Sequence, residues 1–263
     1  MIDNKMDVVI LCGGKGTRLS EETILKPKPM VEVGNRPILW HIMKYYSSFG
    51  FNRFILALGY RGEYIKDYFL NYRLNSSDFT MTLNPDNHMR YHNGAAEREW
   101  EITFINTGLD TLKGGRIKQL ETHINTENFH LTYGDGVSDV NLDELTAFHM
   151  NHKMMATVTA VRPPSRFGEM VLNGDIVEQF DEKSQMQSGV INGGFFILNK
   201  KIMEYLTNDE NCDFEFGPLQ TIAEKGELKA YLHGGFWQCM DNIREKEYLD
   251  SLATTHRAPW VRW

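Results

Sequence analysis

Gly13, Gly14 and Gly16, with Lys15 among them, follow an apolar run at Val8–Cys12 and lead directly into Thr17 and Arg18. A strand ending in such a loop can turn its backbone N–H groups onto an anion without side-chain obstruction, which is phosphate-binding chemistry. Glycines that only turn a strand into a helix would read the same way. The neighbouring cations favour phosphate: Arg18 follows the loop, and Lys26 and Lys28 alternate with Pro27 and Pro29. Prolines at that spacing disfavour a regular helix and are expected to hold the two lysines extended near the loop. Two commoner glycine motifs are excluded. A GxGxxG register from Gly14 needs glycine where Leu19 stands, and a Walker A loop ends Gly-Lys-Ser/Thr where this chain has Gly-Thr-Arg.

Two carboxylates are placed for metal chemistry. Asp135 sits between Gly134 and Gly136 after the apolar run His130–Tyr133, and Asp241 follows the aromatic-rich Gly235–Met240. Mg²⁺ takes one or two carboxylates and completes its octahedron with water and phosphate oxygens. The plainer reading makes Asp135 a turn residue and Asp241 the cap of a helix near Asn242. No His/Cys cluster competes for a softer metal: the nine histidines are scattered, and Cys12, Cys212 and Cys239 lie far apart.

The elements that position these residues alternate between apolar runs and helical periodicity, the pattern of an α/β sheet with crossover helices. Strands are expected at Val8–Cys12, Phe54–Leu58, Glu101–Asn106, His130–Tyr133 and Ala156–Val161. Helices are expected at Pro37–Phe49, along Tyr64, Tyr68 and Tyr72, from Arg116 to Ile124, and around Leu142–Phe148. The second half reads as mixed α+β, with short strands near 168–172, 176–180 and 190–198 and helices near Ile202, Leu219 and Tyr248. Between them, residues 71–100 form a polar and aromatic excursion, longer than ordinary loops. No repeat or linker divides the chain, so one domain is expected over 1–263, with 1–150 and 151–263 as its two halves.

Composition bounds the rest. A chain of 263 residues that is 41% hydrophobic can bury a sizeable core unaided. A net charge of −7 without any run of Lys or Arg argues against nucleic acid as a partner. The apolar run after the polar start Met1–Asp7 is too short for a signal peptide, no segment reads as membrane-spanning, and the cysteine usage suits a reducing cytoplasm.

The run GGKGTRLSEETILKPKPMVEVGNRPILWHIMKYY resembles the N-terminal signature of the sugar-1-phosphate nucleotidyltransferases. The likeness continues through GYRGEYIKDYF, TLKGGRIK, YGDGVSD, INGGFF and GFWQCMDNIREK. The details SEET and KPKPMVE are most similar to members that transfer a cytidylyl group to glucose 1-phosphate. The resemblance implies a Rossmann-like mixed, mostly parallel sheet flanked by helices, of the nucleotide-diphospho-sugar transferase type. It implies CTP and glucose 1-phosphate as substrates, Mg²⁺ as cofactor, and a product used for lipopolysaccharide O-antigen. Residues 1–150 then mainly bind nucleotide, 151–263 mainly sugar phosphate, and the 71–100 excursion joins subunits of a homo-oligomer, with a hexamer as one expected size. The alternatives for that excursion are a folded surface loop or a lid.

Residue by residue, the resemblance assigns nucleotide contacts to Leu11, Cys12, Gly13, Gly14, Lys15, Gly16, Thr17 and Arg18, joined by Thr111 and Arg116 around Gly114-Gly115. Arg18 and Lys28 become catalytic, Asp135 and Asp241 the metal ligands. The sugar phosphate falls to Lys28, Glu182, Lys183 and Asn192, with Ser184 where the FxEKP element has proline. Read without it, Glu182-Lys183 is a solvated pair, Asn192 a turn residue, and Gly114-Gly115 the start of a capped helix whose N-terminus could itself hold an anion. Cys12 replaces the usual alanine, either as a tolerated core residue or as a point of sensitivity to thiol reagents. The rivals in function are a thymidylyl- or uridylyltransferase and a non-catalytic nucleotide-sugar sensor.

Overall fold

A computed structural model describes residues 6–83, 88–93, 97, 99–162, 169–181 and 189–263. Its first strand, β1 (Val8–Leu11), is buried along its whole length. It lies between β2 (Arg53–Leu58) and β4 (Asn128–Tyr133), parallel to both, with Val8 opposite Phe54 and His130. β3 (Glu101–Asn106) continues the parallel arrangement beyond β2. The two-residue period sends Val8, Ile10 and Cys12 into one apolar cluster and Val9 and Leu11 into another on the opposite face. Cover on both faces explains why these strands read as unbroken apolar runs.

Helices supply the cover. On one side lies α1 (Ile38–Ser47), whose Ile38, Leu39, Ile42 and Met43 are buried. The helix starts one residue after Pro37, which instead belongs to a short hairpin with Glu32 and Val33. On the same side α2 (Gly62–Leu70) buries Ile65, with Tyr68 and Phe69 packed beside it. The expected tyrosine stripe is therefore shifted: Tyr64 is exposed, and Tyr72 belongs to a separate short helix, Tyr72–Ser76. The other face is covered by α3 (Lys113–Gln119) with Ile117, followed by Leu120.

Beyond β4 the sheet becomes mixed. α4 (Leu142–His152) leads to β5 (Ala156–Val161), and β5 pairs on one edge with both β6 (Ile191–Asn192) and β7 (Phe196–Asn199). The single strand expected over 190–198 is thus two. Between them Gly193–Phe195 bulges out, with Phe195 at φ 44°, so the register with β5 slips and Asn192 stands at the strand end. On the other edge of β5 lies β8 (Leu228–His233), parallel to it and absent from the expectations. Its side chains alternate on a partly exposed edge, leaving no apolar run to read.

The chain closes with α5 (Ile243–Thr254) and a tail whose Trp260 is fully buried and stacked on Phe236. The 71–100 segment forms a small antiparallel ribbon, Phe79–Met81 with Met89–Tyr91, where described. Among the described residues no helix is long and apolar enough to cross a membrane.

His130 on β4 sits in the core against Phe51 and Tyr46, with Nδ1 unpartnered. Burial, helped by the nearby His149 charge, lowers its pKa to about 3. The unfolded chain takes up this proton near pH 6.5 and the folded chain does not, so stability is lost as pH falls below that value. One such histidine costs about 2 kcal/mol between pH 7 and pH 5. In urea unfolding at both pH values, His130→Phe is expected to lose roughly that much less than the wild type; equal losses would assign the acid sensitivity elsewhere.

Candidate functional site

Because Leu11 pairs with Tyr133 across β1 and β4, the segments that follow, Cys12–Gly13 and Gly134–Asp135, leave the sheet side by side. They open at the carboxyl ends of the parallel strands, where open α/β sheets form their ligand crevices. A cleft of about 580 Å³ lies there, lined by Leu11 to Gly14, Gly16 to Arg18, Lys28, Thr111, Arg116, Asp135, Asn192 and Asp241. Every sequence-derived candidate within the described residues lines this cleft except Lys15, which pairs at its exposed rim with Asp110 at 2.6 Å. Glu182 and Lys183 lie outside the described residues.

The two aspartates meet through a short antiparallel pair, Gly136–Ser138 with Trp237–Cys239. The Met240 N–H donates to the Asp135 carbonyl at 2.9 Å, locking the strand ends together. Asp241 does not cap α5. Asn242 does, its side chain accepting from the Glu245 N–H, while the Glu245 carboxylate accepts the Asp241 N–H at 2.6 Å. The Asp241 carboxylate is thereby left to face the cleft.

Between the aspartates stands Lys28. Its Nζ donates to Asp135 Oδ2 at 2.6 Å and to Asp241 Oδ1 at 2.5 Å, and its side chain is only 9% exposed. Pro27 and Pro29 do not hold it in extended chain as expected. Lys28–Met30 forms a 3₁₀ turn, closed by Met30 N–H to Pro27 C=O, that aims the side chain inward. Burial opposes the ammonium, but the charges and hydrogen bonds of Asp135 and Asp241 outweigh it and raise its pKa above the ordinary lysine value. Arg18 comes from the solvent side, is largely exposed, and donates to Asp241 Oδ2 at 2.6 Å.

Arg116 does something other than present a free cation. Its guanidinium engages five protein acceptors, the carbonyls of Gly13, Leu58, Gly108 and Leu109 and the Thr107 hydroxyl, at 2.7 to 3.2 Å. It touches the glycine loop from beneath, and a Cβ on Gly13 would lie 2.3 Å from its Cζ. Gly114 and Gly115 likewise do not form an open helix start. They sit in the first turn of α3, packed against residues 209–213, and the Gly115 N–H donates to the Cys212 carbonyl. A side chain at Gly114 would strike the Asp213 carbonyl at 2.6 Å, so these glycines serve close packing.

The far end of the cleft contains residues that the sequence did not mark. Lys113 pairs with Glu215, and Glu215 Oε1 accepts from the Tyr133 hydroxyl at 2.6 Å. That hydroxyl in turn accepts from Asn192 Nδ2 at 3.0 Å, while Asn192 Oδ1 takes the Gly194 N–H. Trp237 Nε1 donates to the Gly193 carbonyl. Glu215 belongs to a kinked Glu215–Leu219 turn reached only through the fold, so no spacing could have announced it.

Cys239, Asp241 and Glu245 also form a cluster with the donor types of a metal site. Burial and the nearby carboxylates push the Cys239 thiol up to about 12, and Glu245 is committed to backbone, which leaves Asp135 and Asp241 as the better pair for a hard cation. Cys12 is buried, and burial raises its pKa as well, so it is an inert core thiol.

A glycine loop above a lysine and two aspartates, at the carboxyl ends of parallel strands, marks an α/β protein shaped to receive phosphates. Residues 7–238 match the model of the nucleotidyl transferase family, and the chain belongs to that family. It is 47% identical, over 98% of its length and 100% of the relative's, to glucose-1-phosphate cytidylyltransferase of Salmonella typhimurium. It is 43% identical, over 98% and 100%, to the probable glucose-1-phosphate cytidylyltransferase of Bacillus subtilis. The solved structure of HddC from Yersinia pseudotuberculosis shares the fold at TM-score 0.66 and 24% identity, covering 94% of this chain and 98% of that one.

Removing the Arg116 guanidinium deletes five hydrogen bonds from a charged donor, while the Gly13 and Leu58 carbonyls keep the Tyr60 and Thr107 N–H groups; losing hydrogen bonds to a charged group costs about 1.5–3 kcal/mol. Arg116→Met is therefore expected to lower unfolding stability by roughly 3 kcal/mol in urea titration. A loss below about 0.5 kcal/mol, the level of an ordinary surface substitution, would refute the structural role.

Proposed function

We propose that this enzyme transfers CMP from CTP to α-D-glucose 1-phosphate, giving CDP-glucose and pyrophosphate. The observation that carries this reading is the convergence of Lys28, Asp135 and Asp241 beneath the glycine loop, in a chain with full-length cytidylyltransferase relatives. The nucleophile, a sugar-phosphate oxygen, is already anionic, so the protein need supply neither a general base nor a covalent intermediate. Its tasks are positioning and charge neutralisation.

In this reading Gly13 to Thr17 cradle the base and triphosphate through backbone groups, with Leu11, Cys12 and Thr111 shaping the pocket. Arg18 neutralises the departing pyrophosphate, and Lys28 holds the reacting phosphates. Asn192, oriented by Tyr133 and Glu215, receives the sugar together with Glu182 and Lys183. The donor set fits Mg²⁺: two hard carboxylates already share one small cation, the Lys28 ammonium, at hydrogen-bond distance. Bound by Asp135 and Asp241, Mg²⁺ would supply Lewis-acid polarisation of the α-phosphate. The exposed Phe79, Met81 and Met89 of the ribbon suit a surface covered in a cytoplasmic homo-oligomer, up to a hexamer.

Incubated with Mg²⁺ and glucose 1-phosphate, the protein is expected to release pyrophosphate with CTP well above UTP, dTTP, ATP or GTP. Preference for another nucleotide would overturn the base assignment and keep the chemistry; nucleotide binding without turnover across a panel of sugar phosphates would favour a sensor. Asp241→Ala is expected to lower kcat/KM at least ~100-fold, about 3 kcal/mol of transition-state stabilisation. Turnover at the wild-type rate would exclude the metal role. For the assembly, light scattering should find an oligomer that Met81→Asp shifts toward monomer, and a monomeric wild type would contradict it.

A further inference from the structure

Lys28 occupies the place between the aspartates where the proposed cation would bind. Its ammonium contacts both carboxylates, and Arg18 contacts the remaining oxygen of Asp241. Two cations therefore engage three of the four carboxylate oxygens, both of Asp241 and one of Asp135, and a divalent ion placed between the aspartates would meet like charge at contact distance. The backbone of Lys28 is fixed by its proline-flanked turn, but its four-carbon side chain can withdraw while the turn stays in place. Arg18, though paired with Asp241, is largely exposed, so its guanidinium can leave the carboxylate for solvent without being buried uncompensated.

From this geometry we infer that Lys28 is the built-in counter-cation of the aspartate pair, and that a divalent ion reaches Asp135 and Asp241 only by displacing it. The inference rests on the metal reading proposed above. A nucleoside triphosphate makes the exchange favourable, because it brings oxygens to receive the displaced ammonium and enough negative charge to balance both cations. Metal and nucleotide thus bind together, and the protein without nucleotide holds a divalent ion poorly. Lys28 then has two opposed effects: it supports turnover on phosphate, yet it weakens metal binding by the protein alone. A residue that merely oriented the aspartates for metal would act in the opposite sense, since its loss would weaken the ion.

The experiment counts free Mn²⁺ by electron paramagnetic resonance as it is titrated into nucleotide-free protein. Lys28→Met is expected to bind one Mn²⁺ at least tenfold more tightly than the wild type, and adding Asp135→Asn should abolish the gain. Lys28→Gln, which keeps hydrogen-bonding capacity without charge, should show the same gain and serves if the methionine variant does not fold. Equal or weaker binding in both variants overturns the displacement while leaving the aspartates as metal ligands. Gain that survives Asp135→Asn, or no binding in any variant, overturns it together with the assigned metal site.

Discussion

The structure is organised around one ammonium held between two carboxylates. Lys28, Asp135 and Asp241 come from three distant parts of the chain, and buried charges of this kind are tolerable only when paired. Each partner is positioned by a different device: a proline-flanked 3₁₀ turn for Lys28, the end of β4 for Asp135, and the short strand Trp237–Cys239 for Asp241. The parallel pairing of β1 with β4 then places the glycine loop directly beside this charge cluster. The surrounding core, Arg116 strut included, keeps the loop and the carboxylates in fixed relation.

Much of this arrangement was legible where chemistry sits next to periodicity. The glycine loop and Asp135 each follow a buried strand whose apolar run is visible in the sequence, so their place at the carboxyl end of the sheet could be read directly. Asp241 could not be read that way. Local spacing made it a helix cap, and only the strand pairing and the Asn242 cap show why its carboxylate is left to the cleft. The Asn192 bulge was half visible: the residue read as part of a turn, but the break into β6 and β7 depends on register with β5.

Other features have no local signature. β8 lies on a partly exposed edge and carries no apolar run, so its identity as a strand comes from its partner β5. Glu215 acquires meaning only because a kinked turn brings it to Tyr133 and Lys113. Arg116 and Gly114-Gly115 look like anion-binding signals in one dimension. In three dimensions the arginine is committed to carbonyls and the glycines to a neighbouring loop, because buried backbone acceptors and close packing claim them first.

The cleft also suggests how its reaction proceeds. The cysteines at its wall, Cys12 and Cys239, are held as thiols, and Lys28 is paired as an ammonium, so neither side-chain type is poised as a nucleophile. With the sugar phosphate already anionic, the proposed reaction is a single displacement at the α-phosphorus, driven by position and charge. The stereochemical course with one diastereomer of CTP carrying sulfur on the α-phosphate tests this most directly. Inversion at phosphorus in the sugar-nucleotide product is the expected result; retention would demand a covalent nucleotidyl-enzyme and contradict the account.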